Sequence, residues 1–131
     1  MSARGWIVTL LAGIIACGGN TEPAGPKAGT LIAVLNTPNS QDGALVVRIV
    51  GEQTALKVSG SYRMDSGSQI PGGTTTRVII SGQIADGDLL EFHVTDISKI
   101  ASYVVVVEQA AARDTYALLD ASGYNVTLRV K

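Results

Sequence analysis

Apolar and polar residues alternate along most of the chain from residue 30 onward. In the last such stretch, 124–130, an apolar residue occupies every second position and a polar residue lies between each pair. A period of two residues predicts a β-strand with one buried face. The strands predicted in this way are 30–36, 43–51, 56–64, 75–81, 89–95, 102–109 and 124–130, with a short strand or one helical turn at 116–119.

Helical periodicity is weak throughout. Residues 96–101 predict a short helical turn, whereas the alanines at 110–112 are too few to nucleate a helix despite their propensity. Residues 102–109 are apolar on both faces, which predicts a central strand. About seven to nine strands at near-regular spacing predict an all-β protein built as a single β-sandwich.

The first segment of the chain has a different pattern. Arg4 and the amino terminus carry positive charge, residues 6–15 are almost entirely apolar, and Ala16 is small. These are the three parts of an export signal. The apolar run is much shorter than the roughly 20 residues that a transmembrane helix needs, so a signal peptide is expected here rather than a membrane span.

The end of this segment, Ile14-Ile15-Ala16-Cys17, resembles the lipobox of bacterial lipoproteins. The resemblance implies a signal peptide at 1–16 and a lipidated Cys17 as the first mature residue. Two or more acyl chains hold a protein stably at a membrane, so Cys17 would anchor the protein in the bacterial cell envelope. Gly18 follows instead of Asp, which in Gram-negative lipoproteins implies the outer membrane. A plain signal peptide is the alternative, although it would not require the cysteine.

Composition divides the rest of the chain into two parts. Residues 17–29 are rich in Gly and Pro and lack apolar periodicity, which is typical of a flexible tether. Residues 30–131 form one predicted domain of about 100 residues, enough for a single hydrophobic core.

Charge and cysteine content exclude some classes of function. The chain has 10 Lys and Arg residues against 11 Asp and Glu residues, without any basic run, so nucleic-acid binding is not expected. Cys17 is the only cysteine, which excludes an intrachain disulfide scaffold. Trp6, in the leader, is the only tryptophan, so the predicted domain has none.

Three stretches of the domain resemble the cohesin and carbohydrate-binding-module group of β-sandwiches. They are GALVVRIVG (43–51), TRVIISGQIADGDLLEFHV (76–94) and SYVVVVEQAAARDTYALLDASGYNVTLRV (102–130). Within the second, an apolar strand and a turn precede Leu90, Phe92 and Val94 at alternate positions. The resemblance implies noncatalytic binding of a protein module or a glycan. An immunoglobulin-like or other sandwich topology is the alternative.

Asp86, Asp88 and Glu91 lie close together in sequence around Gly87. Calcium binds several carboxylate and carbonyl oxygens, and a glycine allows a loop to fold tightly around an ion. The spacing does not match an EF-hand loop, and Asp-Gly is also a common hairpin turn. A turn is therefore the main expectation, with a calcium site as the alternative.

The chain carries few groups suited to catalysis. His93 is the only histidine and lies on the polar side of a predicted strand, so it is expected to be solvated rather than a general base. Zinc sites need three or four ligands of the His, Cys or carboxylate type. No nucleophile-elbow, Walker A or dinucleotide-binding motif occurs. An enzyme is not expected, and neither is a resident cofactor.

Tyrosines are the candidates for stacking on a sugar ring. Tyr62, Tyr103 and Tyr124 belong to apolar rows and are expected in the core, whereas Tyr116 follows a polar loop and is the best surface candidate. The lack of tryptophan weighs against glycan binding. The sequence thus favours a noncatalytic, envelope-anchored protein-interaction or structural module, with a carbohydrate-binding module as the alternative.

Overall fold

The computed structural model describes residues 25–65 and 74–131. The predicted signal peptide, Cys17 and most of the tether lie outside these residues. The described chain forms two antiparallel sheets packed face to face, which confirms the predicted all-β sandwich. Its helical segments are two short 3₁₀ helices, Ile97–Ser102 and Ala121–Gly123. Among the described residues, no helix has the length and hydropathy to cross a membrane.

The described chain contains nine strands. They are β1 (Gly29–Asn36), β2 (Asp42–Val50), β3 (Thr54–Val58), β4 (Arg63–Asp65), β5 (Thr75–Ile84), β6 (Gly87–Val94), β7 (Val104–Ala112), β8 (Leu118–Leu119) and β9 (Asn125–Val130). The four-stranded sheet has the order β3-β6-β1-β9, and the five-stranded sheet has the order β4-β5-β2-β7-β8. The chain crosses between the two sheets repeatedly, so the sheets fold as one unit around one core.

The core lies between the two sheets and is made of the inward residues of each strand. Phe92 is the largest fully buried side chain, and its ring centroid lies 5.8 Å from that of Tyr103. The aliphatic residues around it come from five strands, and they are Leu31, Ala33, Leu35, Leu45, Val47, Ile49, Val78, Ile80, Leu90, Val94, Val105 and Val107. Burial of this apolar surface is the main force holding the sheets together.

The prediction of one strand over 56–64 is wrong. β3 belongs to the four-stranded sheet and β4 to the five-stranded sheet, and a turn at Gly60 (φ 57°) joins them. Tyr62 N–H donates to Ser59 O at 3.2 Å within this turn. Leu56 and Met64 nevertheless both face the core. The alternation continues across the turn because both strands face the same interior, so the pattern could not reveal the crossing.

The prediction that 102–109 forms a central strand is confirmed in strand order, since β7 lies between β2 and β8, but β8 covers only a small part of it. β7 pairs with β2 along its length on one side, but on the other side it pairs only with β8, over Ala110 and Ala111. Val104 is 45% exposed on the outer side of the sheet. The outward-facing apolar side chains of β7 therefore lie on the protein surface rather than in the core.

A buried carboxyl group joins the two sheets at one end of the sandwich. Asp42, at the start of β2, is fully buried, and its oxygens accept hydrogen bonds from the Thr37 hydroxyl and the Tyr124 hydroxyl. Asn39 Nδ2 also donates to the Tyr124 hydroxyl at 2.9 Å. Burial raises the pKa of Tyr124, and its bond to Asp42 raises it further. These contacts tie the five-stranded sheet to the residues that follow β1 and precede β9.

Asp42→Ala is expected to lower the free energy of unfolding by about 2–4 kcal/mol, because two buried hydroxyl groups lose their acceptor. Urea unfolding followed by circular dichroism measures this change. Asp114→Ala is the matched control, since Asp114 is exposed and lies 3.9 Å from its ion-pair partner. Equal unfolding midpoints for the two variants would contradict a structural role for Asp42.

Candidate functional site

The outer face of the four-stranded sheet is covered by paired charges. Arg129 Nη2 lies 3.0 Å from Asp88 Oδ2, and Lys131 Nζ lies 3.1 Å from Glu91 Oε2. The side chains of these pairs extend across β6, β1 and β9, and Ile32 beneath them is only 6% exposed. The outer face of the four-stranded sheet is therefore polar, without a continuous apolar patch.

The structure does not bring together the carboxylates considered for calcium. Asp88 and Glu91 are engaged in the ion pairs above, and Asp86 instead accepts a hydrogen bond from Thr37 N–H at 2.7 Å. Over residues 25–65 and 74–131, no group of three His, Cys, Asp or Glu side chains is placed to hold a metal ion. The geometry supports the turn expected around Gly87, which has a φ of 123°.

The two outer faces differ, because the five-stranded sheet exposes apolar side chains. Between the core positions of β2, β5 and β7, several outward residues are apolar and polar residues lie among them. We call this surface the apolar outer face, and it consists of Val46, Val50, Ile79, Val104 and Val106. Ile79 and Val104 are each 45% exposed. Apolar residues exposed on one face of a sheet are a candidate interaction surface.

Three charged side chains lie within the apolar outer face. Arg77 Nε donates to Glu108 Oε2 at 3.0 Å, and Arg48 Nε lies 3.3 Å from Glu108 Oε1. The Arg48 contact is an ion pair without hydrogen-bond geometry, because its Nε finds no hydrogen-bond partner among the described residues. Two guanidinium groups thus share one carboxylate, which leaves an excess of positive charge on this face.

An open groove of about 390 Å³ lies on the same sheet, where the face meets the turn between β7 and β8. Small residues form its floor, and Tyr116, with 83% of its surface exposed, stands at its border. We call it the Tyr116 groove, and its lining residues are Gly43, Ala44, Ser81, Gly82, Gln83, Ala112, Arg113 and Tyr116. Hydroxyl, amide and guanidinium groups therefore surround an exposed aromatic ring.

Tyr116 adopts a backbone conformation that is unusual for a tyrosine. Its φ is 53°, in the left-handed region, where a residue with a side chain is strained by roughly 1–2 kcal/mol. Tyr116 N–H donates to Ala112 O at 3.0 Å, and Ala112 N–H donates to Ala117 O at 2.9 Å, so the turn is held in place. Strain at an exposed aromatic residue is a signal of function, since Gly or Asn fits this conformation at lower cost.

The Tyr116 groove lies at the end of the sandwich far from the chain termini. Lys131 N–H donates to Thr30 O at 2.9 Å, so the two ends of the described chain meet at the start of β1. The strand then runs the length of the sandwich. The turn with Tyr116 packs beside the loop that follows β1, since Arg113 N–H donates to Gln41 O at 2.8 Å.

The other chemically notable residues have structural or solvated positions. The Tyr103 hydroxyl donates to Glu52 O at 2.7 Å, and burial raises the pKa of Tyr103, with a further contribution from nearby carboxylates. The Tyr62 hydroxyl accepts from Ala85 N–H at 3.1 Å. His93 is exposed on the outer face of the four-stranded sheet, as expected from its strand position.

The structure confirms the predicted exposure of Tyr116, but sequence reasoning missed the apolar outer face and its arginines. The signal was present, because Val104 and Val106 make 102–109 apolar on both sides. A strand with apolar residues on both faces is expected when both faces are buried, and equally when one face is an exposed binding surface. The strand order was needed to distinguish the two.

Tyr116→Asn is expected to raise the free energy of unfolding by about 0.5–1 kcal/mol, because asparagine tolerates the left-handed backbone. Tyr116→Ala removes the same ring but keeps the strain, so it serves as the control. Thermal unfolding of both variants measures the difference. An alanine variant as stable as the asparagine variant would show that the backbone at this position is not strained.

Comparison with protein families, curated proteins and solved structures found no match to this chain. The function proposed for it accordingly rests on the surfaces described above.

Proposed function

We propose that this protein is a noncatalytic interaction module of the bacterial cell envelope, anchored through lipidated Cys17, which binds a protein partner through its apolar outer face. The observation that carries the proposal is the difference between the two sheets. One outer face is covered by charged pairs, whereas the other exposes Ile79 and Val104. A cell-surface domain that bound nothing would have little reason to keep valines in contact with water.

The composition of the apolar outer face fits a protein partner. The centre of a protein interface is apolar and depleted in charge, with arginine as the charged residue most often enriched there. Here apolar residues surround Arg48, Arg77 and Glu108, and Arg77 is half-exposed. The excess positive charge favours a partner surface with a carboxylate next to its apolar contacts.

The proposed anchor is compatible with access to this face. The described chain begins at Gly25, next to the start of β1, so a tether of residues 17–29 would hold the sandwich by that end. The strands of the apolar outer face then extend away from the membrane, and the Tyr116 groove lies at the far end. Both surfaces would remain open to molecules outside the membrane.

Glycan binding at the Tyr116 groove is the second candidate function. It is supported by the strained, exposed Tyr116 ring beside a floor of small residues. An aromatic ring of this kind presents a flat apolar surface, and the polar groups of Ser81, Gln83 and Arg113 are placed around it. The second candidate therefore uses a different part of the same sheet from the first.

Cys17→Ser is expected to move the protein from the membrane fraction to the soluble fraction, because the serine hydroxyl cannot carry the thioether-linked lipid. Fractionation of cells followed by immunoblotting measures the distribution. Thr21→Ser, within the predicted tether, is the control and should leave the protein with the membrane. Retention of the Cys17 variant in the membrane fraction would contradict the proposed anchor.

Ile79→Glu is expected to weaken binding of a protein partner by placing a charge in the apolar outer face. The domain and its variants are immobilised, envelope and secreted fractions are applied, and each retained protein is purified and titrated against the same variants. Thr127→Glu is the matched control, because it adds the same charge to the other outer face. We expect at least a tenfold weaker affinity for Ile79→Glu and no change for Thr127→Glu.

Two results would contradict the proposed docking face. Equal affinity of the purified partner for the Ile79 and Thr127 variants would move the binding surface elsewhere. A polysaccharide retained by both variants but lost with Tyr116→Ala would instead support the glycan-binding function.

A further inference from the structure

A second depression, of about 500 Å³, lies at the end of the sandwich where β1 and β5 finish. The loop from β1 to β2 forms one side of it, and the turn from β5 to β6 forms the other. We call it the loop depression, and its lining residues are Thr37, Pro38, Asn39, Ser40, Ala85 and Asp86. None of them belongs to the apolar outer face or to the Tyr116 groove, so the loop depression is a separate site.

Asp86 presents a carboxylate in a fixed position on one side of the loop depression. Its Oδ1 atom accepts a hydrogen bond from Thr37 N–H at 2.7 Å, which joins the turn to the loop opposite. Within residues 25–65 and 74–131, this side chain makes no second hydrogen bond and no ion pair, and it is exposed. The Oδ2 atom can therefore accept a hydrogen bond from a ligand.

The other side of the loop depression is held by the buried carboxyl group of Asp42. The Thr37 hydroxyl donates to Asp42, and Asn39 Nδ2 donates at 2.9 Å to the Tyr124 hydroxyl, which itself donates to Asp42. Asn39 N–H also donates to Thr37 Oγ1 at 3.1 Å. These bonds fix the loop before a ligand arrives, and a site that is ordered in advance loses less entropy on binding.

The polar groups of the loop depression fit a ligand that is rich in hydroxyl groups. The Asp86 carboxylate and the Asn39 carboxamide oxygen are acceptors, whereas the exposed Ser40 hydroxyl both donates and accepts. Neighbouring hydroxyl groups of a sugar ring can donate to the two acceptors and exchange a bond with the serine. The exposed Pro38 ring adds apolar surface for the C–H groups of the same sugar.

Charge narrows the class of ligand further. Asp86 is the one charged side chain among the described residues that line the loop depression. A carboxylate facing an anionic ligand disfavours binding, so phosphorylated and carboxylated sugars are poor candidates. A neutral saccharide meets no such repulsion.

We propose that the loop depression binds a neutral saccharide, with the Asp86 carboxylate and the Asn39 carboxamide accepting hydrogen bonds from neighbouring hydroxyl groups of one ring. Tyr124 and Asp42 are positioning residues, because they hold the loop and lie beneath the ligand. This site goes beyond the proposed docking face and does not depend on it. It also differs from glycan binding at the Tyr116 groove, since the two share no lining residue.

The test titrates the full-length chain in detergent micelles and follows its amide NMR signals. The probes are short neutral oligosaccharides of glucose, galactose, mannose and N-acetylglucosamine, each at millimolar concentration. At least one of them is expected to shift the amide signals of Asn39, Ser40 and Asp86 in a saturable manner. The amides of Ile79 and Val104, on the apolar outer face, should not move.

Asp86→Asn is expected to weaken the affinity for that saccharide about tenfold, because a hydrogen bond to a charged oxygen is roughly twice as strong as one to a neutral oxygen. Asparagine keeps the shape of the side chain and an oxygen acceptor for Thr37 N–H, so the turn is expected to persist. Asp114→Asn is the matched control. It removes the same charge from the turn between β7 and β8, outside the loop depression, and should leave the affinity unchanged.

Tyr124→Phe tests the positioning role, because it removes the hydroxyl that holds Asn39. It is expected to weaken saccharide affinity about fivefold. Tyr103→Phe is the matched control, since it removes a half-buried hydroxyl at the opposite end of β2, where it donates to Glu52 O. Both variants lose stability, but only Tyr124→Phe should lose affinity.

Several outcomes would overturn the proposal. The absence of saturable shifts at Asn39, Ser40 and Asp86 with every probe would do so, as would equal affinities of the Asp86 and Asp114 variants. Shifts confined to the turn that carries Tyr116 would support glycan binding at the Tyr116 groove instead. Stronger shifts at Asp86 with ethylammonium than with any saccharide would identify a cation site. Each result leaves the docking face, which is tested with Ile79→Glu, unaffected.

Discussion

The buried carboxyl group of Asp42 fixes the end of the sandwich on which the Tyr116 groove depends. It accepts hydrogen bonds from Thr37, which directly follows β1, and from Tyr124, which directly precedes β9 in the same opposite sheet. The adjoining residue, Gln41, accepts the Arg113 N–H bond that holds the turn carrying Tyr116. Buried polar groups are stable only with complete hydrogen bonding, so this network permits one arrangement of the surrounding loops.

The two outer faces of the sandwich show how similar strands acquire different surfaces. On the four-stranded sheet, long charged side chains pair across β6 and β9 and cover Ile32. On the five-stranded sheet, Arg48 and Arg77 both pair with Glu108, and Ile79 and Val104 remain exposed. Keeping an apolar surface in water lowers solubility, and binding to a partner is a physical reason for a protein to retain one.

Much of the fold could be predicted from the sequence, because the alternation of apolar and polar residues indicates directly which side chains are buried. β1, β6 and β9 lie close to their predicted positions, as does the 3₁₀ helix after β6. The errors arose where alternation gives no information on pairing. β3 and β4 share one pattern although they lie in different sheets, and β7 is central in strand order although β8 covers only a small part of it. The buried role of Asp42 could not be predicted, because its partner Tyr124 lies 82 positions away.

By itself, the sequence determined the approximate bounds of most strands, the inward position of three tyrosines and the exposure of Tyr116. These properties depend on local alternation and on turn residues. The tertiary structure alone decided that Asp86, Asp88 and Glu91 have separate partners and that Arg48 and Arg77 share Glu108. Such relations depend on strand order and register, which bring together residues far apart in the chain. The local alternation of apolar and polar residues contains no information on either.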